Sequence, residues 1–330
     1  MSDKISFGIV GCGMIANMHA QAIKHIQNAE LVGVTDNCIQ SAEKFAQQYC
    51  VKAYRDFAEM LVDKGVDAVC ICTPSFLHAD MAIQALEAGK HVVVEKPMAL
   101  NEYDADKIIS TCQKTGKKLT VVYQLRFEDD ILKVKDLVKN GAFGKITLCN
   151  LYMNYYRSKE YFSSSNWKGT IKYDGGGALM NQGIHGIDLL EYIMGDIVAV
   201  NGKARTLVHN IEVEDTAVAT VEFKNGAMGV ITASTCVYPG FNRKLEIYGE
   251  SGYVVLNESS IEALMIDKKK IDVSRRSELG CASDPTAINY EMHQKQLVNF
   301  IDAILGNAEL VSDCFDGKKA IRVIGAIYKG

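Results

Sequence analysis

The stretch "ISFGIVGCGMIANMHA" (5–20) decides the fold. Residues 5–10 run apolar, as a buried strand does, and Gly11-Cys12-Gly13-Met14-Ile15-Ala16 then fits G-x-G-x-x-G/A before a helical pattern begins. In a strand–turn–helix of this kind the first glycine makes the tight turn. The second lets backbone approach a pyrophosphate, and the small third residue lets helix and strand pack closely. The helix start, at Met14 and Ile15, offers N–H groups and a partial positive charge to phosphate. A glycine turn can also serve packing alone, so the following residues matter. In "LVGVTDN" (31–37) Asp36 closes the second strand, at about the ~20-residue separation expected of a ribose-binding acid. A carboxylate there accepts from ribose hydroxyls and repels a 2′-phosphate, and Asn37 and Cys38 supply no cation for that phosphate. NAD is therefore expected rather than NADP.

Outward from this stretch, short β-branched runs alternate with helical patterns. "ELVGVT", "DAVCIC", "HVVVEK" and "KLTVVY" follow as strands, with helices at 14–26, 41–49, 78–89 and 101–116 between them. Such alternation predicts an α/β doubly wound parallel sheet with helices on both faces. After about residue 123 the pattern changes. A helix is predicted at 128–140, then strands at 145–157, 197–209, 214–223, 226–236, 243–249 and 252–257, and helices near 288–305 and 315–328. "FKNGAMG" (223–229) places Asn-Gly between two strand patterns and predicts a hairpin. The division expected is a Rossmann domain at 1–123 and an α+β domain at 124–330.

The 330 residues, 48% of them hydrophobic, are too many for one ordinary core. Net charge is −4, and "KKK" (268–270), short enough to be a solvated turn, is no basic block, so neither nucleic acid nor a membrane is an expected partner. Ten cysteines are scattered without a CxxC pair or a visible Cys/His cluster. No metal is expected, and a reducing cytoplasmic location is.

Three further stretches carry chemistry. In "HVVVEKPMAL" (91–100), Glu95 and Lys96 follow a strand directly. Strand ends of open α/β sheets line the ligand crevice, although the residues alone fit a solvated strand end equally well. In "CTPSFLHADMA" (72–82), Pro74 breaks a strand, Ser75 is placed to cap a helix, and His78 reads as a surface residue of its first turn. In "GGGALMNQGIHGIDLL" (175–190), Asn181, His185 and Asp188 fall at four- and three-residue spacing, on one face of a helix.

These stretches, in this order and over essentially the whole chain, resemble the Gfo/Idh/MocA family of NAD(P)-dependent sugar and polyol dehydrogenases. The resemblance implies a C-terminal domain on a large open mixed or antiparallel sheet, whose face forms a homodimer or homotetramer. It implies a cis Lys96–Pro97 peptide, a Lys96 that reaches the reacting hydroxyl, and a His185 that accepts its proton. Thr73, Pro74 and Glu95 are expected near the nicotinamide or its ribose, with His78, Lys96 and Gln124 also in the cofactor set and Arg126 a weaker site candidate. One position departs from the inositol dehydrogenase pattern D-x-G-x-H, because Asn181 stands where the acid would be. An amide cannot act as a base. The N-x-G-x-H form resembles members that oxidise the 3-hydroxyl of UDP-N-acetylhexosaminuronates.

The expected site therefore holds Lys96, His185 and Asn181 as catalytic groups. The stripe with Asp188 would face a crevice between domains, and glycines 175–177 would let the chain approach the substrate. Tyr155, Tyr156, Arg157, Trp167 and Lys168 cluster before the His helix. They read either as a subsite for a sugar acid or nucleotide diphosphate, or as a strand edge with solvated tips. Other readings are a free cyclic polyol dehydrogenase, an NAD-recycling glycosidase and a non-catalytic sugar or nucleotide sensor.

Overall fold

The computed structural model describes residues 4–273 and 289–330. The chain forms two compact units, Met1–Gln124 with Ile288–Lys318, and Leu125–Ala287 with Lys319–Gly330.

In the first unit, strands β1 (Ile5–Val10), β2 (Ala29–Thr35), β3 (Lys52–Ala53), β4 (Ala68–Ile71), β5 (His91–Val94) and β6 (Leu119–Val121) form one sheet in the order β3-β2-β1-β4-β5-β6. Every pairing is parallel, which is the doubly wound order of dinucleotide-binding sheets. Helices α1 (Met14–Lys24), α2 (Ile39–Tyr49), α3 (Phe57–Val62), α4 (His78–Glu87) and α5 (Glu102–Thr115) connect the strands. All four residues of β4 are buried, as a strand covered on both faces requires. Helix α5 starts where the Asn101 side chain accepts from the Asp104 N–H and stops at the left-handed Gly116. β3 and α3 are too short to show a period, which is why the sequence pattern does not reveal them.

The second unit contains α6 (Asp129–Lys139), β7 (Ile146–Asn154), α7 (Lys159–Ser163), α8 (Ile171–Asp174), a π-helical turn (Ala178–Gly183) and α9 (Ile184–Met194). Strands β8 (Ile197–Arg205), β9 (Thr216–Phe223), β10 (Met228–Ser234), β11 (Lys244–Gly249), β12 (Tyr253–Asn257), β13 (Ser260–Ile266) and β14 (Lys269–Ile271) complete it. With β7 they make an eight-stranded sheet in the order β14-β13-β12-β11-β7-β10-β9-β8. It is mixed, because β7 and β10 pair in parallel and their other neighbours antiparallel.

Along β9, Ala217, Ala219, Val221 and Phe223 are buried while Val218, Thr220 and Glu222 are exposed. One face is thus covered and the other open. The expected hairpin joins β9 to β10 by the four residues 224–227, in which the Gly226 N–H donates to the Phe223 carbonyl and Gly226 takes a φ of 85°. β13 and β14 go beyond the sequence reading. Their turn uses Asp267 and Lys268 at φ of 50° and 61°, so "KKK" is only partly a turn. Lys269 and Lys270 lie exposed on the edge strand β14, where lysines discourage further pairing.

The chain returns to the first unit as α10 (Glu291–Ile304), before α11 (Cys314–Lys329) ends it. Leu297, Phe300 and Ile301 join Phe7, Ile9, Ala20 and Ile23 in one core, with the Phe7 and Phe300 rings 6.4 Å apart. A single cut at 123/124 omits this return, because an apolar helix face carries no mark of the sheet it will cover. Residue 288, the first of the expected 288–305 helix, lies outside the described residues. Among the described residues no helix is long and apolar enough to cross a membrane.

Candidate active site

The dinucleotide end is made of backbone. Gly11 takes a φ of 88°, and a Cβ there would lie 2.7 Å from the Cys72 carbonyl oxygen, so only glycine lets β1 turn against the end of β4. A Cβ on Gly13 would meet nothing within 4 Å. Gly13 begins α1 without a side-chain cap, and the first turn holds no acid. The start of α1, at Met14 and Ile15, is thus left uncapped beside open space, as a phosphate site at a helix N-terminus requires. Asp36 accepts from the Cys12 N–H at 2.8 Å and the Cys38 N–H at 2.9 Å, which aims its carboxylate at the end of β2. At the end of β6, the Oε1 of Gln124 is buried without a hydrogen-bond partner among the described residues. The open glycine cradle, the fixed acid and this orphaned acceptor fit NAD.

The neighbouring corner is held by histidines. His78 is not the surface residue its place in a first turn implied: it is 1% exposed, with Nδ1 2.7 Å from the Pro97 oxygen and Nε2 2.8 Å from the Thr73 oxygen. Its ring joins the strand ends bearing Thr73–Pro74 and Lys96–Pro97. Only a doubly protonated ring would satisfy both carbonyl acceptors. Burial pulls the other way and lowers the His78 pKa despite both carbonyls. Ser75 does not cap α4. It opens a short 3₁₀ turn, Ser75–Leu77, and α4 starts at His78 without a side-chain cap. The Lys96–Pro97 peptide is cis as expected, and Tyr238–Pro239 is a second cis bond.

Glu95 turns its carboxylate to helix α1, where His19 Nε2 lies 2.8 Å from Oε1. Burial pushes Glu95 up, but the hydrogen bond and charge of His19 prevail and hold it down at about 2. For His19 burial opposes the cation, while Cys72, Cys70 and Glu95 together raise it well above its ordinary value. Cys72 is itself pushed up by burial to about 11 and is a thiol at neutral pH, so the anion that keeps His19 protonated is Glu95. Lys96 follows, half-buried at the strand end.

In the second unit the three residues of the stripe differ in burial, with Asn181 and His185 half-buried and Asp188 buried. Asp188 is 2% exposed and takes the Arg126 guanidinium in a two-pronged pair, Nη2–Oδ1 2.6 Å and Nε–Oδ2 3.0 Å. Arg126 also stacks 4.5 Å over Tyr192. Both are interior groups of this unit. Residues 178–183, which carry Asn181, wind as a π-turn, with the Gln182 N–H on the Gly177 carbonyl. His185, in the first turn of α9, stays half-buried.

Asn181 sits in a network. Its Nδ2 donates to buried Asp174, and its Oδ1 accepts from Gln182 Nε2 at 2.9 Å. Gln182 also donates to the Tyr161 hydroxyl at 2.8 Å and accepts from buried Arg157 Nε at 3.0 Å. The Lys168 ammonium lies 4.2 Å over the Tyr161 ring, and burial lowers its pKa. Arg157, Lys168 and Asn181 thus gather about Tyr161, whereas half-buried Trp167 contributes a carbonyl to the Thr170 hydroxyl. The glycines serve closeness to the protein itself. A Cβ on Gly177 would overlap the Glu214 carbonyl oxygen and one on Gly176 the Tyr328 hydroxyl. Buried Glu214 accepts from the Gly177 and Leu179 N–H groups at 2.9 and 2.8 Å, capping the π-turn.

Asp174, Gln182, Tyr161 and Glu214 are residues the sequence reading passed over. Gln182 and Asp174 adjoin the glycine-rich motif and could have been suspected. Glu214 carries no local signal, since it reaches the turn from the approach to β9.

A β-turn-α glycine cradle, an acid ending β2 and the 3-2-1-4-5-6 sheet order define an NAD-binding Rossmann oxidoreductase. The oxidoreductase family with an NAD-binding Rossmann fold, GFO/IDH/MocA, matches residues 5–123, and the GFO/IDH/MocA C-terminal domain matches residues 131–255. The chain belongs to this family. It is 31% identical to the WlbA dehydrogenase of Bordetella pertussis, solved with NADH and UDP-GlcNAcA, over 99% of this chain and 96% of that one (TM-score 0.87). The Chromobacterium violaceum WlbA dehydrogenase, solved with the same pair, is also 31% identical, over 99% and 93% (TM-score 0.88). The myo-inositol 2-dehydrogenase of Thermotoga maritima is 30% identical over 75% of this chain and 73% of its own.

Proposed function

We propose that the protein oxidises a secondary ring hydroxyl of a nucleotide-linked N-acetylhexosaminuronate, with NAD as acceptor. The carrying observation is the whole-chain likeness to two dehydrogenases solved with UDP-GlcNAcA. Asn181 at the position of the inositol-type acid and buried Arg157 beside it support the same reading. A guanidinium pairs with a carboxylate or phosphate.

NAD, when bound, supplies the hydride acceptor. The remaining work falls to the chain. Lys96 donates to the oxygen of the reacting hydroxyl, where negative charge grows. His185 takes the hydroxyl proton. Asn181, steadied by Asp174 and Gln182, holds that hydroxyl or its neighbour. Thr73 and Pro74 border the nicotinamide, and Asp36 receives the ribose.

In this reading residues 1–123 bind NAD, and most of the remaining chain binds the sugar and builds an oligomer. Leu148, Val218 and Met228, exposed on the second sheet, support association of two or four copies through its open face. Every described cysteine is a free thiol, in keeping with a cytoplasmic location.

The test is NADH formation from UDP-N-acetylglucosaminuronate, its free sugar acid, myo-inositol and glucose, with wild type and His185→Ala. Turnover confined to the nucleotide sugar and lost in the variant is expected. Turnover on myo-inositol alone would favour a polyol dehydrogenase. Release of an aglycone without net NADH would favour the NAD-recycling glycosidase, and binding without turnover, unaffected by His185→Ala, the sensor.

A further inference from the structure

We propose that His19, Glu95 and His293 form a binding site for a divalent transition-metal ion of the zinc class. The sequence shows no such cluster, because its members come from α1, the residue after β5 and α10. His19 Nε2 is 2.8 Å and His293 Nε2 3.9 Å from Glu95 Oε1, and the three ligand atoms all lie within 4.8 Å of one another. Atoms so spaced share a point roughly 2.0–2.4 Å from each, close to the ~2.0–2.2 Å of zinc–nitrogen and zinc–oxygen bonds. All three residues are buried.

An ion pair between His19 and Glu95 leaves part of this arrangement unexplained. His293 is 2% exposed, and neither of its ring nitrogens has a partner within ordinary hydrogen-bond geometry among the described residues, the Asn289 backbone making only a weak approach. Buried polar groups are rarely left so. Its ring stands edge-on to that of His19, with centroids 5.2 Å apart, and burial lowers its pKa to about 4. His293 Nε2, facing the Glu95 carboxylate and the His19 ring, is placed to share a metal ion with them. Two imidazoles and one carboxylate select zinc, cobalt or nickel over magnesium and calcium, which take oxygen sets. The fourth position falls to water. Binding requires His19 to release its proton, so affinity falls as pH is lowered.

The ion's role would be to tie the returning helix α10 to the strand end that carries Lys96. This assignment does not depend on the sugar proposed above, and its readout is metal content. Wild type and His293→Gln would be stripped with chelator, loaded with zinc at pH 7.5 and passed through a gel-filtration column. About one zinc ion per wild-type chain is expected, reduced tenfold or more in the variant, with a zinc-dependent rise in Tm in wild type only. No retained zinc in wild type, or equal amounts in both, would overturn the proposal, since an ion on surface thiols is indifferent to His293. Should the variant fail to fold, X-ray absorption of cobalt-loaded wild type decides. A nitrogen/oxygen shell with imidazole scattering supports the site, and a sulfur shell or no bound cobalt refutes it.

Discussion

Glu95 in the first unit and Glu191 in the second are 8% and 7% exposed, yet their carboxyls are driven in opposite directions. Glu95 is held down at about 2, whereas Glu191 is pushed up by burial to about 7. The partner makes the difference. Glu95 has His19, itself buried, at 2.8 Å. Glu191 has Arg322 at 3.4 Å, a side chain 45% exposed, and a long contact of 3.5 Å from the Ile197 N–H. Water screens that guanidinium, so desolvation prevails. One turn away, Asp188 is matched by the two-pronged Arg126. A second contrast accompanies this one: the dinucleotide end is built from backbone, and the surroundings of Asn181 from side chains gathered across the second unit.

The largest expected effect tests whether those two ends are separable. Lys96→Met and His185→Ala should each lower kcat/KM by about a thousandfold or more, the combined scale of a lost charge-stabilising donor or proton acceptor. NAD affinity, measured by fluorescence titration, should stay within about twofold if, as proposed, backbone and Asp36 supply it. A parallel loss of NAD binding would show that the ends act as one. Next in size is Asp188→Asn. It leaves the Arg126 guanidinium buried without its counter-charge, a change that costs about 3–5 kcal/mol. Urea unfolding should register it, and an unchanged midpoint would mean that the pair is not held in solution.

The same contrast explains what could be read in advance. The β1–turn–α1 unit with Gly11 and Gly13 was legible because its glycines fall at fixed local spacing between a strand and a helix. The cis Lys96–Pro97 bond came with the family resemblance. His78 was misread because a helix first turn says nothing about what lies behind it; the Thr73 and Pro97 carbonyls come from two strand ends. The Asn181–His185–Asp188 stripe was only partly legible: Asn181 lies in a π-turn capped by Glu214, and the Asp188 carboxylate is taken by Arg126 from a distant part of the chain. His19 and His293 could not be paired from sequence, since only the return of α10 brings them together.

Glu191 gives a pH test. The unfolded chain releases this proton near 4.5, the folded one near 7, so between those values the folded state binds more protons and stability falls as pH rises. The full effect is roughly 3 kcal/mol, present above pH 7 and absent below 4.5. Glu191→Gln should therefore raise stability by about 1–3 kcal/mol at pH 8 and little at pH 5. Equal shifts at both would assign the effect to packing rather than to the charge.

The smallest expected effect concerns Asp36, where the backbone-built end depends on one side chain. Its carboxylate accepts from the Cys12 and Cys38 N–H groups, and in the proposed reading it has a second duty, to present an anion to the ribose 2′ position. Asp36→Ser removes the anion but leaves an acceptor. NAD should bind about tenfold more weakly, a loss of about 1.4 kcal/mol, while NADP, no longer repelled, should gain. That gain should remain small, because Asn37 and Cys38 offer a 2′-phosphate no cation. Adding Cys38→Arg should then reverse the preference, since a guanidinium at the same turn supplies the missing charge. Dissociation constants for both cofactors, measured on the single and double variants, separate the duties. An unchanged NAD-to-NADP ratio in Asp36→Ser would reduce Asp36 to a clasp for two amides, and the discrimination would then have to come from the backbone cradle itself.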